Sequence, residues 1–344
     1  MSKLQLSIAL AVSEQRSYNQ TIQDGALGNL TRLILEGAVI PDGIDLIPSD
    51  VYSGELIWRQ LRSAEFDIAQ MSVTALLMLA ERGDSPWVAL PVFPFRSFHH
   101  SRFQVREDAN IQEPKDLHGK NVGVSEYMMT AAVWSRGVLK DEFGVEAEKI
   151  TWYQERLESI GKEFGYQAPA GVIIHQIPQE KTIRSMLAAG ELDGSAIAVA
   201  GTTLLDRTGV SVSALPKMRP LFPDPVAESV RYFQKTGISP INHCVAVRKS
   251  VLERHPWVAL NLYHAFLAAK DQLIAPAREL VESYFQFGYL PLEARQSVPA
   301  DPFPYGISAN RKTLETMARY GHEQNLTSRL VGLEEIFSPN TIDS

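Results

Sequence analysis

Apolar and polar residues alternate along residues 4–11, with Leu4, Leu6, Ile8 and Leu10 on one face, which is the two-residue period of a β-strand. Residues 19–35 then read as helix, 44–48 as strand and 54–63 as helix. A short strand over 66–72, an apolar helix over 73–80 and another strand over 86–93 follow. This βαβα rhythm predicts a parallel sheet flanked by helices. A second alternating set opens near Phe103, with segments at 122–124, 127–139, 150–152, 172–176, 181–189 and 194–199. Residues 153–171 read as an inserted polar loop or hairpin. After 244–248 the pattern is helical, over 250–254, 257–270, 277–287 and 311–325. Val258, Leu262, Phe266 and Leu273 form one stripe of the 3.6-residue period.

The fold class expected from this order is α/β, as two lobes with the chain crossing twice between them. Lobe I comprises 1–100 plus 246–344, with the C-terminal helices packed back on it, and lobe II comprises 101–245. Ligands in such folds sit in the cleft between lobes, at helix N-termini and strand ends.

A length of 344 residues, 45% of them apolar, suits two such cores. A net charge of −7 argues against nucleic acid or an anionic membrane as partner. With one cysteine, Cys244, no intrachain disulfide can form, and a cysteine-based zinc or iron–sulfur site is not expected. The first twelve residues lack the basic start, long apolar run and small-residue cleavage site of a secretory peptide. No apolar run has the length of a membrane span, so the expected location is cytoplasmic.

The chemistry concentrates in two stretches. Val122 to Val124 passes through Ser125 and Glu126 into a helix beginning near Tyr127. Unpaired backbone N–H groups and the helix dipole make that turn an anion site. Glu126 either interacts with the dipole or acts on a ligand, and Thr130 either caps the helix or touches a ligand. Upstream, Arg96, Phe98, His99 and His100 complete a pocket for an acidic, aromatic small molecule. Adjacent histidines in an extended segment point to opposite faces, so one of them, with Arg96, faces the cleft. His243, at the return crossing, is a proton donor or a structural histidine. His99 or His100 with Glu126 and His243 could hold a divalent metal, although no local ligand spacing supports one. Trp134, His255 and His264 read as structural. No Gly-x-Ser-x-Gly elbow, Gly-x-Gly-x-x-Gly turn or phosphate loop is present, so no organic cofactor is expected.

An ordered series of motifs then resembles the 4,5-dihydroxyphthalate decarboxylase family. Its carriers include Phe66-Asp67-Ile68-Ala69-Gln70-Met71-Ser72, Val92-Phe93-Pro94, Arg96, Phe98, His100-Ser101 and Asp116-Leu117-His118-Gly119-Lys120. They continue through Val122-Gly123-Val124, Glu126-Tyr127, Met129-Thr130-Ala131, Leu221-Phe222-Pro223-Asp224 and Lys235-Thr236-Gly237-Ile238. Pro240, His243, His255-Pro256-Trp257 and Pro304-Tyr305-Gly306 complete the set. The chain departs from the family pattern at Phe95, His99 and Cys244, and over 153–165 it lacks an expected glycine pair.

The resemblance implies a two-lobed fold like that of type II periplasmic binding proteins. It also implies decarboxylation of a hydroxylated aromatic dicarboxylic acid, 4,5-dihydroxyphthalate, to 3,4-dihydroxybenzoate and CO2, without an organic cofactor. On this reading Arg96 binds a carboxylate with help from the 127–130 turn, and His100 or His243 donates the proton. Glu126 orients the donor or acts on the phenol. His99, Phe98, Tyr127 and Thr130 line the substrate, with Phe95 in the apolar wall. The alternative is a binding protein or sensor for aromatic acids that does no chemistry. A homo-oligomer is compatible with either.

Overall fold

The alternation at the start of the chain forms β1 (Leu4–Leu10), which pairs in parallel with its neighbours β2 (Ile44–Asp50) and β3 (Ile68–Ser72). The structure is a computed structural model and describes residues 3–11, 30–156, 164–196, 217–299 and 301–342. Helices α1 (Arg32–Leu35), α2 (Ser53–Ser63) and α3 (Val73–Arg82) alternate with these strands, and β4 (Trp87–Arg96) follows. Every residue of β3 is buried, as befits a strand covered on both faces. Within α3, Val73 through Ala80 are all buried, so its apolar run is a core helix rather than a surface one.

A 3₁₀ turn, His99–Arg102, carries the chain to a second sheet. There β5 (Gln104–Arg106), β6 (Asn121–Val124), β7 (Thr151–Gln154), β8 (Ile173–Gln176), β9 (Gly194–Ser195) and β10 (Met218–Pro220) take the order β10-β5-β9-β6-β7-β8. Helix α4 (Thr130–Phe143) follows β6, and α5 (Ile183–Ala188) follows β8. α6 (Pro225–Thr236), capped by the Asp224 carboxylate, leads to β11 (Ile241–Arg248). β11 runs antiparallel between β3 and β4 and completes the first sheet, of order β2-β1-β3-β11-β4. The sheet change therefore precedes Ile241, earlier than the bound at 245, because all of β11 hydrogen-bonds within the first sheet.

The chain ends in α7 (Lys249–Arg254), α8 (Trp257–Gln286) and α9 (Arg311–Glu323). The two helices expected over 257–270 and 277–287 are one, with Pro276 inside it. Its buried stripe runs through Val258, Leu262, Phe266, Ala269 and Ile274, and beyond Pro276 only Phe285 of the helix is buried. Other expectations fall partly outside the described residues, namely 19–29 of the first helix, 157–163 of the insertion and 197–199 of the strand after Gly194.

α4 joins the lobes. It is buried from Thr130 to Leu139, and Trp134 donates its indole N–H to the carbonyl of Ile241 at 2.9 Å. At Gly137 a Cβ would lie 2.4 Å from the Tyr320 ring, so only glycine lets α9 approach this closely. Among the described residues, no helix is long and apolar enough to cross a membrane.

Candidate active site

Strand register builds the first half of the site. His243 lies opposite Ser72 on β3 and Phe95 on β4, so these three side chains share one patch of the sheet at its strand ends. The His243 ring is half-buried and lies 5.4 Å from the Phe95 ring. Gln70, two residues before Ser72 and so on the same face, brings its Nε2 to 2.7 Å from His243 Nδ1. Burial pushes His243 down to about 4, so the imidazole is neutral at pH 7. His99 is 3% exposed, and its ring lies 6.1 Å from Phe95. Asn242 Nδ2 donates to its Nε2. Burial, with the nearby charge of Arg102 and the other two histidines, pushes His99 down to about 3.

The second half comes from the ends of β6 and β7. Because these strands are parallel, their C-terminal ends place Ser125-Glu126 and Glu155-Arg156 side by side, and Arg156 N–H donates to Ser125 O at 3.0 Å. The Glu126 carboxylate is 1% exposed, and Arg156 Nη1 lies 3.6 Å from it. Arg156 also reaches the start of α2, where a Cβ on Gly54 would meet its Nη2 at 2.8 Å. The lobes meet again at Thr130, the first residue of α4. Its hydroxyl lies 2.8 Å from Ser72 Oγ and 3.1 Å from Thr74 Oγ1. Ser72 is the N-cap of α3 and accepts from Ala75 N–H. The N-termini of α3 and α4 thus converge, each bringing the positive end of a dipole, with Thr74 N–H donating to Thr130 Oγ1 at 3.3 Å.

Of the expected site residues, His99 and His243 flank Phe95, Thr130 lies against Ser72 and Thr74, and Glu126 lies beside Arg156. The other four are placed elsewhere. Arg96 donates to the carbonyls of Ser239 (3.2 Å) and Pro304 (2.6 Å) and to Asn310 Oδ1 (2.6 Å), which fastens the loops behind β4. Burial lowers it to about 10 against the opposing pull of Tyr305 and Asp301, and at neutral pH it stays a cation. His100 Nε2 faces Glu228 Oε1 at 3.1 Å, and its ring is enclosed by Phe98, Phe222 and Tyr232. Phe98 belongs to that same cluster at the crossing, against Tyr232. Tyr127 is 1% exposed, in the core of lobe II, against Trp152 and under the guanidinium of Arg136. The 3₁₀ turn separates the two adjacent histidines: His99 goes to the Phe95 side and His100 to α6.

The expected metal reading drew on both sides of this turn. Among the described residues no group of three or more His, Cys, Asp or Glu is placed to hold a metal ion. Gln70, Ser72, Thr74, Asn242 and Arg156 were not singled out by the sequence as site residues. One signal was available for Arg156, because it directly follows a strand parallel to β6, where such folds place ligand-binding residues.

No protein-family model matches the chain. A 4,5-dihydroxyphthalate decarboxylase of Comamonas testosteroni is 31% identical over 351 aligned positions, covering 100% of this chain and 99% of that protein. A protein of the same name from Pseudomonas putida is 37% identical over 172 residues, 49% of this chain and 67% of that one. Among solved structures, the periplasmic aliphatic sulphonate-binding protein SsuA of Escherichia coli superposes with a TM-score of 0.53 at 14% identity, covering 99% of each chain. That likeness shows a periplasmic-binding-protein fold.

Proposed function

The chain belongs to the 4,5-dihydroxyphthalate decarboxylase family, a family of carboxy-lyases, and from that premise we propose that it converts 4,5-dihydroxyphthalate to 3,4-dihydroxybenzoate and CO2. The observation that carries this reading is the 31% identity, which extends over the whole chain. Arg156, Glu126 and His243 are the kinds of group that this chemistry requires.

In that substrate each carboxyl-bearing carbon is para to a hydroxyl. When the hydroxyl gives up its proton to water, electron density rises at the para carbon, which takes up a proton from an acid of the protein. The resulting dienone loses CO2, the C–C bonding pair restores the aromatic ring, and the oxygen regains its proton. One proton enters at carbon for each CO2 released.

The protein then has three tasks. Arg156, with the dipole ends and hydroxyls at the starts of α3 and α4, takes the retained carboxylate, since a guanidinium forks onto a carboxylate through two N–H donors. In doing so it leaves Glu126, which then holds and delivers the proton to the ring carbon. His243, neutral in its buried setting, hydrogen-bonds the oxygen on which negative charge develops. Phe95 gives the departing carboxylate an apolar neighbour. Arg96, the sequence-based choice for the carboxylate, has both terminal nitrogens engaged by Ser239, Pro304 and Asn310, and the carboxylate role passes to Arg156.

The test is turnover. The purified protein, incubated with 4,5-dihydroxyphthalate, should release CO2 and 3,4-dihydroxybenzoate in equal amounts. Saturable binding of the substrate without CO2 release would overturn the proposal.

A further inference from the structure

Gln70 is 2% exposed and contacts His243 from the adjacent strand. Its carboxamide makes two contacts of opposite sense. Ala11 N–H, at the end of β1, donates to Gln70 Oε1 at 3.4 Å, while Nε2 lies 2.7 Å from His243 Nδ1. A backbone N–H can only donate, so the amide atom facing Ala11 is the carbonyl oxygen. The amide atom facing His243 is therefore the NH2, which also can only donate. His243 Nδ1 must meet it with a lone pair, and the single proton of the neutral ring is then on Nε2. β3 and β11 are adjacent strands with His243 opposite Ser72 and Val245 opposite Gln70, so the sheet itself holds the two side chains in this diagonal contact.

We propose that Gln70 is a positioning residue that fixes His243 as the Nε2–H tautomer, with its one N–H offered to the substrate oxygen para to the departing carboxylate. This rests on the functional reading above and specifies how His243 acts within it. As that tautomer His243 donates a hydrogen bond and cannot accept the phenolic proton at Nε2. Taking up a proton at Nδ1 would require the Gln70 carboxamide to turn over and give up Ala11. His243 is thus a fixed hydrogen-bond donor toward developing charge, and the proton that enters at carbon comes from elsewhere in the cleft.

Gln70→Glu isolates this role. A carboxylate has nearly the same shape and can still accept from Ala11, but it can only accept from His243, so it moves the ring proton to Nδ1. Full-length protein labelled with 15N at histidine, with His243 assigned from the His243→Gln spectrum, reports the tautomer directly. The wild type should show a protonated Nε2 and an unprotonated Nδ1. Gln70→Glu should show a protonated Nδ1 and lose on the order of 10²-fold in kcat, with KM changed only slightly. A protonated Nδ1 in the neutral wild-type ring would overturn the inference, even if Gln70→Glu does not fold. So would a Gln70→Glu enzyme of reversed tautomer and undiminished kcat. A wild-type Nε2–H tautomer in a protein that does not decarboxylate the substrate would overturn the functional reading and leave the tautomer assignment standing.

Discussion

The Thr130 hydroxyl lies 2.8 Å from that of Ser72 and so ties the first residue of α4 to the N-cap of α3 across the two lobes. Thr74 shares this contact at 3.1 Å. Thr130→Val keeps the shape and removes the hydroxyl, which strands buried polar partners at a cost of about 1–3 kcal/mol. Denaturant unfolding should register that loss, and KM should rise because the carboxylate loses a donor where the two helices converge.

Two arginines should separate by phenotype. Arg156→Met should raise KM about 10–100-fold, the loss expected for charge-assisted hydrogen bonds to a carboxylate. Arg96→Met should instead lower stability by about 2–4 kcal/mol, since it removes the donors to the Ser239 carbonyl and Asn310 Oδ1, while Pro304 keeps only its bond from Asn310 Nδ2. Its KM, measured on folded protein, should stay near that of the wild type. Steady-state kinetics and urea unfolding on the two variants check both statements.

How much of this was readable beforehand differs between the fold and the site. The βαβα rhythm gave the first sheet and the return of the C-terminal helices, because a two-residue period and a buried stripe are local properties. Pro276 reads locally as a break, yet the helix runs through it from Trp257 to Gln286. For the site, sequence chemistry singled out Glu126, Thr130, His99 and His243 together with Arg96 and His100, but it could not show the partners that the fold brings to the last two. A guanidinium beside aromatic residues looks like a ligand group until Pro304 and Asn310, some two hundred residues later, are brought onto it. His100 is claimed in the same way by Glu228 on α6, a partner that no nearby residue announces.

Acid stability follows from the buried imidazoles. His99 at about 3 and His243 at about 4 both titrate below the roughly 6.5 of an unfolded histidine. Each binds its proton more readily in the unfolded chain. The stability it contributes is therefore fully present above pH ~6.5 and is lost as pH falls toward its folded value. Each should cost roughly 1.4 kcal/mol per pH unit within that window. Urea midpoints measured between pH 7 and pH 4 should fall steadily, and His243→Gln should flatten the slope.

The most direct measurement is kcat on 4,5-dihydroxyphthalate for His243→Gln and His100→Gln, made side by side with the wild type. Placement of the reaction at the Phe95 side of the cleft leads to a loss of about 10²–10³-fold in kcat for His243→Gln. His100→Gln should keep near-wild-type kcat and show only a lower unfolding midpoint, since its ring is enclosed by Phe98, Phe222 and Tyr232 and bonded to Glu228. A His100→Gln enzyme that loses turnover while His243→Gln retains it would contradict this site.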